Sequence, residues 1–474
     1  MLRNLLLPAG VSLAVILPAA AHAQQPAPWS EQAIRAHVDA REFSGTLDRD
    51  ALERLRDAGE RLFEAKFTPA DGLGRPMATQ AITPVKRKRP ARDGFSRTAG
   101  MDANACSSCH NEPVLGGSSN FSANAFVSEG FTNAEFDSLD PQFSNERNSN
   151  HLFGAGLVEL LAREMSADLQ RLRGDAVRRA REAGTSVEAR LVTKGVDFGT
   201  LTVEPDGMVD LSGLDGVDTD LVIRPFSQKG VMTSLRQFAI NAMNDHLGMQ
   251  AVERYGARWT GENDFDEDGK PDELSPGDIS ALVAWQAGLR PPVTNVPDDP
   301  EWRSAARLGD RMFDDIGCAS CHVRALPLDS LKFADPGLFD TAGTLRAGET
   351  GHGAVYDLAL LDWASTLPRN PDGAVMVPLF GDLKRHRIAD AKNTTLGNEL
   401  LAQRFVDRDV FQTSELWGIG STAPYGHRGD LTTLDEVIRA HGGEATPVTR
   451  RYEALAQDQR SALIAFLKTL VIEP

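Results

Sequence analysis

Between Leu47 and Phe67 the apolar positions Leu52, Leu55, Leu62 and Phe63 recur at helical spacing, and Asp48 stands where an N-cap belongs. The end of this stretch, Gly59-x-x-Leu62-Phe63, returns later as Gly309-x-x-Met312-Phe313. Ser280-Ala-Leu-Val-Ala-Trp285 followed by Leu289 is likewise mirrored by Ser461-Ala-Leu-Ile-Ala-Phe466 followed by Leu470. Leu152-Phe-Gly-Ala-Gly156 matches Leu416-Trp-Gly-Ile-Gly420. With the cysteine motif described below, these landmarks come in the same order in each half, which indicates duplication.

The pattern predicts a mainly α chain of two cytochrome-c-like helical domains. The boundary falls in the proline-rich linker Pro291 to Pro300, with an N-terminal domain over 24–292 and a C-terminal domain over 299–474. One region departs from the helical pattern. Leu191-Val-Thr, Leu201-Thr-Val and Leu221-Val-Ile are short β-type runs between Asp-Gly and Gly-Thr turns, so a small sheet is expected as an insertion over about 190–225. Thr68 to Gly100, rich in proline and glycine, reads as a second inserted loop.

The chain has 474 residues, enough for such domains and their cores. Arg3, an apolar run from Leu5 to Ala21 and the small-x-small site Ala21-His22-Ala23 predict a secretory signal peptide over 1–23 and a periplasmic protein. That run is short for a membrane span, and no later segment approaches one. Acidic residues outnumber basic ones 67 to 50, a net charge of −17, which argues against nucleic acid as a partner. The basic run Lys86-Arg-Lys-Arg89, with Arg92 and Arg97, reads as a solvated loop or as a partner for acidic groups.

All four cysteines lie in two copies of C-x-x-C-H: Cys106-Ser-Ser-Cys109-His110 and Cys318-Ala-Ser-Cys321-His322. This is the attachment signature of c-type haem. Two thiols at that spacing can each form a thioether to one porphyrin edge, and the histidine is then held under the iron. A redox dithiol or half a zinc site is the competing reading of a single copy. Two copies that leave no cysteine over predict two covalently bound haem c groups. Export agrees, because covalent attachment takes place outside the cytoplasm.

Ala423-Pro-Tyr-Gly-His427-Arg-Gly429, then Leu434-Asp-Glu436 and His441, resembles the A-P-Y-x-H-x-G…T-L-x-E segment of the bacterial di-haem cytochrome c peroxidase superfamily. Arg147-Asn-Ser-Asn-His-Leu-Phe-Gly-Ala-Gly-Leu-Val-Glu159, Leu416 to Gly420 and His441-Gly-Gly-Glu444 are more similar still to its subgroup of di-haem oxidoreductases or peroxidases. The resemblance covers nearly all of the mature chain and is not specific for a substrate. It implies that His441, fourteen residues after His427, is the second axial ligand of the C-terminal haem, where other members have methionine. His427 is then a structural or inter-haem hydrogen-bonding group.

The repeat predicts asymmetry. His441 lies 21 residues after Gly420, and the same offset from Gly156 reaches Val177, which cannot ligate iron. Glu112 to Gln142, where the resemblance implies a closing loop histidine, contains none. The N-terminal haem is therefore expected to keep an open face for peroxide or oxygen. Cleavage of peroxide needs a group that moves a proton between its oxygens, and Glu159 and His151 are the candidates, with His246 a third. Trp417 is a candidate electron relay, although such a tryptophan is more often core.

Asn263 to Glu273 places Asp264, Asp266, Asp268 and Asp272 at positions 1, 3, 5 and 9 of a calcium-loop pattern, with Gly269 at position 6. Ser275 stands at position 12, and Glu273 is a substitute for the missing glutamate. The expectation is a soluble di-haem oxidoreductase that reduces hydrogen peroxide at the N-terminal haem. Its electrons would come from a small cytochrome c or cupredoxin. An oxygenase that uses dioxygen, an enzyme that oxidises a partner protein, and a non-enzymatic electron carrier are the alternatives.

Overall fold

The helix that carries Gly59 and the helix that ends at Ala287 cross so closely that a Cβ on Gly59 would lie 1.9 Å from the main-chain oxygen of Ala281. This is a computed structural model, and it describes residues 27–74, 104–120, 122–127, 144–340, 343–349, 353–398 and 406–473. The signal segment 1–23 and the basic run with Arg92 and Arg97 lie outside the described residues. In the N-terminal half the helices are α1 (Arg49–Glu64), α2 (Ala155–Ala183), α3 (Leu235–Ala242), the single turns α4 (Val252–Tyr255) and α5 (Ala257–Thr260), and α6 (Pro276–Ala287). In the C-terminal half they are α7 (Pro300–Asp315), α8 (Leu434–Ala440), α9 (Thr446–Ala454) and α10 (Gln457–Leu467).

Asp48 caps α1 as the pattern predicts, its carboxylate accepting from the Ala51 amide at 2.8 Å, and Leu52, Leu55, Leu62 and Phe63 are buried. α6 begins at a capping box of Ser275 and Asp278 and is buried almost all round, because α1 covers one side of it and α2 and α3 others. The repeat is geometric as well as sequential. A Cβ on Gly309 would lie 2.0 Å from the oxygen of Ala462, the residue that matches Ala281 in the second half. Phe63 meets Trp285 at 4.3 Å between ring centroids, and Phe313 meets Phe466 at 5.6 Å. Each half thus builds the same crossed helix pair, with glycine at the contact and an aromatic pair one turn on.

The mainly α expectation is corrected. Among the described residues helices make up 39% and strands 15%, in several small sheets, so the class is mixed α/β. The insertion does form a three-stranded antiparallel sheet, Val187–Thr193, Val196–Val203 and Val209–Asp210. Its third strand is not the run at Leu221, where φ is 57° and the chain turns. The remaining strands are mostly two to four residues long and pair across long sequence distances. Gly45–Thr46 runs parallel to Ala354–Asp357, and Val293–Thr294 pairs with Leu470–Val471. Runs this short carry no alternation from which to predict a strand.

The larger core joins Leu55 and Phe63 of α1, Leu161 and Met165 of α2 and Leu282 of α6 to Leu326, Phe333, Tyr356, Val377 and Trp417 from beyond the linker. A second core holds Phe313, Phe380, Tyr425, Leu434, Tyr452, Leu463 and Phe466. No helix among the described residues is long and apolar enough to cross a membrane.

Candidate functional site

Each C-x-x-C-H begins in a single 3-10 turn set against one of the crossed helix pairs. In the first, Cys106–Ser108 form the turn, and the amides of Cys109 and His110 both bond to the Cys106 oxygen at 3.1 Å. A turn of this kind puts both thiols and the imidazole on one side of the backbone. His110 Nδ1 lies 3.2 Å from the Gly117 oxygen, and its ring is 6.0 Å from that of Phe63. In the second, Cys318–Ser320 form the turn and the His322 amide bonds to the Cys318 oxygen at 3.0 Å. His322 Nδ1 lies 3.2 Å from the Phe380 oxygen.

The equivalence has a chemical meaning. A carbonyl can only accept, so in each histidine Nδ1 carries the proton and Nε2 keeps its lone pair. Burial holds His110 below its usual pKa and, with the nearby His441, pushes His322 down to about 4, so both rings are neutral. Burial also pushes the Cys106 thiol up to about 12 and Cys318 to about 11. The set fits haem held by two thioethers with iron on Nε2.

His441 ends α8 and is locked in the same way, its Nδ1 lying 2.6 Å from the Val437 oxygen. It is half-buried, burial holds its pKa below the usual value, and it lies near enough to His322 to lower that ring's pKa as well, so a lone pair stays on Nε2. Val177, at the matching offset in the first half, lies within the 29-residue helix α2, half-buried against the core.

The two centres are joined by a short main-chain relay. The Phe380 oxygen that faces His322 also accepts from the Leu416 amide at 3.3 Å. The next residue, Trp417, offers its oxygen to His151 Nε2 at 3.0 Å. Asn150, beside His151, bonds through its backbone to His110. The Asn150–His151 segment therefore lies against the His110 ring. Burial, and then the nearness of the His110 ring, push His151 down to about 4 against the pull of the Trp417 bond, and its buried Nδ1 has no partner. The Trp417 ring is core, packed where a Cβ on Gly154 would come within 2.5 Å of it.

Glu159 is fully buried in α2, one oxygen paired with Arg163 and the other accepting from the Leu235 amide at 2.7 Å. Burial raises its pKa to about 7, Arg163 opposing and Asp340 adding to the rise. His246 sits in a π-helical turn, Met243–Leu247, that continues α3. His427 packs on Phe411 at 4.6 Å, and burial together with the charges of Arg147, Lys229 and Arg428 holds it neutral, near 2. Its oxygen accepts from the Asn148 amide at 3.0 Å, tying its loop to the segment that leads to His151. Of the acidic loop, Asp264, Asp266 and Asp268 converge, whereas Asp272 stands outside the group.

Two features escaped the sequence reading. Cys321, Asp382 and His386 come together, but His386 spends Nε2 on Asp382 (2.9 Å) and Nδ1 on Glu444 (2.8 Å). Although burial opposes it, the Asp382 bond and then Cys321 raise this imidazole to about 11, so it is a cation with no lone pair for a metal. The four-residue spacing of Asp382 and His386 was the only signal in the chain. Glu415, raised to about 7 by burial and then by Asp382, stands immediately before Leu416, as His151 stands before Leu152. The repeat could have singled it out.

Residues 379–470 match the family described as "Di-haem oxidoreductase, putative peroxidase". The protein Cytochrome-c peroxidase IdrP2 of Denitromonas iodatirespirans is 37% identical over 87 residues, which are 17% of this chain and 22% of that protein. The protein of the same name from Pseudomonas sp. (strain SCT) is 41% identical over 73 residues, 14% of this chain and 19% of its own length. The chain therefore spans only a minor part of these curated relatives. Among solved structures, a Kuenenia stuttgartiensis hydrazine synthase pressurised with xenon overlaps 98% of this chain and 100% of its own, at 12% identity and a TM-score of 0.38. A MauG-like protein associated with microbial copper homeostasis overlaps 57% of this chain and 78% of its own, at 15% identity and a TM-score of 0.28. Neither likeness carries an argument at that score.

Proposed function

We propose that this chain, di-haem peroxidase-like over residues 379–470, is a periplasmic di-haem c-type oxidoreductase that reduces hydrogen peroxide to water. Cys106, Cys109 and His110 hold one haem, and Cys318, Cys321, His322 and His441 hold the other. When bound, the haems supply the redox chemistry, in which peroxide takes up a pair of electrons and a pair of protons and leaves as water.

The observation that carries this reading is the shared lock on His110 and His322. Each Nδ1 is committed to a main-chain oxygen, which orients the ring and leaves Nε2 as the only lone pair. His441 is locked in the same manner beside His322, and no histidine of α2 takes that place beside His110. This supports an exchangeable site in the N-terminal half and an electron store in the C-terminal half. The bonds from Phe380 through Leu416 and Trp417 to His151 tie the segments beside both histidines together. Glu159, poised at about 7 in a buried setting, holds the proton that peroxide cleavage needs at neutral pH. The acidic surface favours an electron donor with a basic patch, such as a small cytochrome c or cupredoxin.

Electron paramagnetic resonance of the ferric protein tests the assignment. One high-spin and one low-spin signal are expected, and two low-spin signals alone would reduce the protein to an electron carrier. Peroxide turnover with a reduced donor is expected to accompany the high-spin signal. Oxygen uptake on an unsaturated hydrocarbon without peroxide turnover would overturn the peroxidase reading in favour of an oxygenase.

A further inference from the structure

The loop that follows α5 gathers carboxylates that nothing in the redox site uses. Asp264, Asp266 and Asp268 bring their oxygens within 4.8 Å of one another. Gly269, at φ 88°, turns the chain so that its amide bonds to Asp264 Oδ2 at 3.1 Å, while the Lys270 amide bonds to Asp268 Oδ1 at 2.7 Å. Asp266 is 0% exposed, and neither of its oxygens has a hydrogen-bond partner in bonding geometry. Only the amides of its own turn, at Asp266 and Asp268, offset it in part. Asp264 Oδ1 is buried without a partner as well.

Glu273 lies beside this group, outside the 4.8 Å cluster itself. It is 5% exposed, and the charges of Asp266, Asp268 and Asp264 all press on it. One of its oxygens, Oε2, accepts from the Gln250 amide at 2.7 Å. Asp272, which the spacing pattern would have used, turns through φ 54° and acts instead on His37. Buried carboxylates facing one another are stable only if protonated or if a cation lies between them. An all-oxygen set of carboxylates on a loop with glycine at the turn suits a hard cation larger than magnesium, which demands a tight octahedron and its own waters.

We propose that Asp264, Asp266, Asp268 and Glu273 bind one calcium ion. The ion clamps three segments at once. Glu273 packs where a Cβ on Gly72 would lie 2.4 Å from its carboxyl carbon, and Leu274 takes the Val252 amide at 3.0 Å. The Gly74 amide bonds to Leu247 of the π-helical turn at 3.0 Å, and Phe67 exchanges bonds with Asn104, two residues before Cys106. Calcium binding itself does not depend on the peroxidase reading, so the failure of either leaves the other standing.

Isothermal titration of the EDTA-treated full-length protein with calcium chloride tests the site. One stoichiometric site is expected, with magnesium at least tenfold weaker, and calcium is expected to raise the melting temperature. Asp266→Asn, which keeps the shape and removes the charge, should abolish binding, and the half-exposed Asp268→Asn should weaken it, serving in its place should the first variant not fold. Asp272→Asn should bind as the parent does. Absence of calcium heat in the parent, equal magnesium affinity, undiminished binding by the Asp268 and Asp266 variants, or loss of binding in the Asp272 variant would each overturn the assignment.

Discussion

His151 donates through Nε2 to the main-chain oxygen of Trp417 at 3.0 Å, and this bond joins the segment beside His110 to the segment beside His322. The two residues are 266 positions apart, yet each stands at or beside the same landmark of its own half, Leu152 to Gly156 or Leu416 to Gly420. The duplicated landmarks therefore meet across the molecule.

Removing that bond leaves a buried carbonyl without a donor. His151→Leu is expected to cost about 1–3 kcal/mol in urea unfolding. It should also slow the redistribution of electrons between the haems after rapid mixing with a reductant. Unchanged kinetics in a stably folded variant would leave His151 with a structural role alone.

The crossed helix pairs make matching predictions in the two halves. Gly59→Ala and Gly309→Ala each drive a methyl group into main-chain oxygen, at 1.9 Å and 2.0 Å respectively. Each should destabilise by about 1–3 kcal/mol or more, since backbone cannot swing aside as a side chain can. Thermal melting of both variants, with haem content read by absorbance, checks this.

His441→Ala should convert the low-spin signal of the C-terminal haem to high-spin and leave the other signal as it was. His441→Met, which offers a weaker donor to ferric iron, should restore low spin at a higher reduction potential. If the spectrum of His441→Ala is that of the parent, the second ligand is another group.

Glu159 carries a pH signature. Its folded pKa, about 7, is above its ordinary value of 4.5, so the stability linked to its protonated form is fully present below 4.5 and is lost as pH rises through 7. The difference is on the order of 3 kcal/mol. Glu159→Gln should flatten the pH dependence of unfolding across that window. If Glu159 moves the proton, the same variant should lower kcat for peroxide by roughly 10²–10⁴ while the haem spectra are unchanged. A flattened stability profile with full turnover would confine Glu159 to bonding Arg163 and the Leu235 amide.

The parts that were legible in the chain are those made within one turn or one helix. C-x-x-C-H is a five-residue pattern whose reading as a haem site rests on its own spacing, and Asp48, Leu52 and Leu55 announce α1 by cap and period. Gly59 and Gly309 were visible as a repeat, although only the structure shows the carbonyls they admit. The acidic loop was legible as a spaced set of carboxylates, but of its four aspartates only Asp264, Asp266 and Asp268 converge and Asp272 does not.

By itself, then, the sequence determined the haem motifs, the duplicated helix pairs and the kinship of the C-terminal stretch, because each depends on residues close together in the chain. Tertiary structure decided the rest: the mixed α/β class, the bond from His151 to Trp417, the Asp382–His386–Glu444 cluster and the burial that moves Glu159 and Glu415. The reason is physical. A strand of two residues, or a carboxylate's pKa, has no local signature; it exists only when distant segments pair with it or exclude water from it.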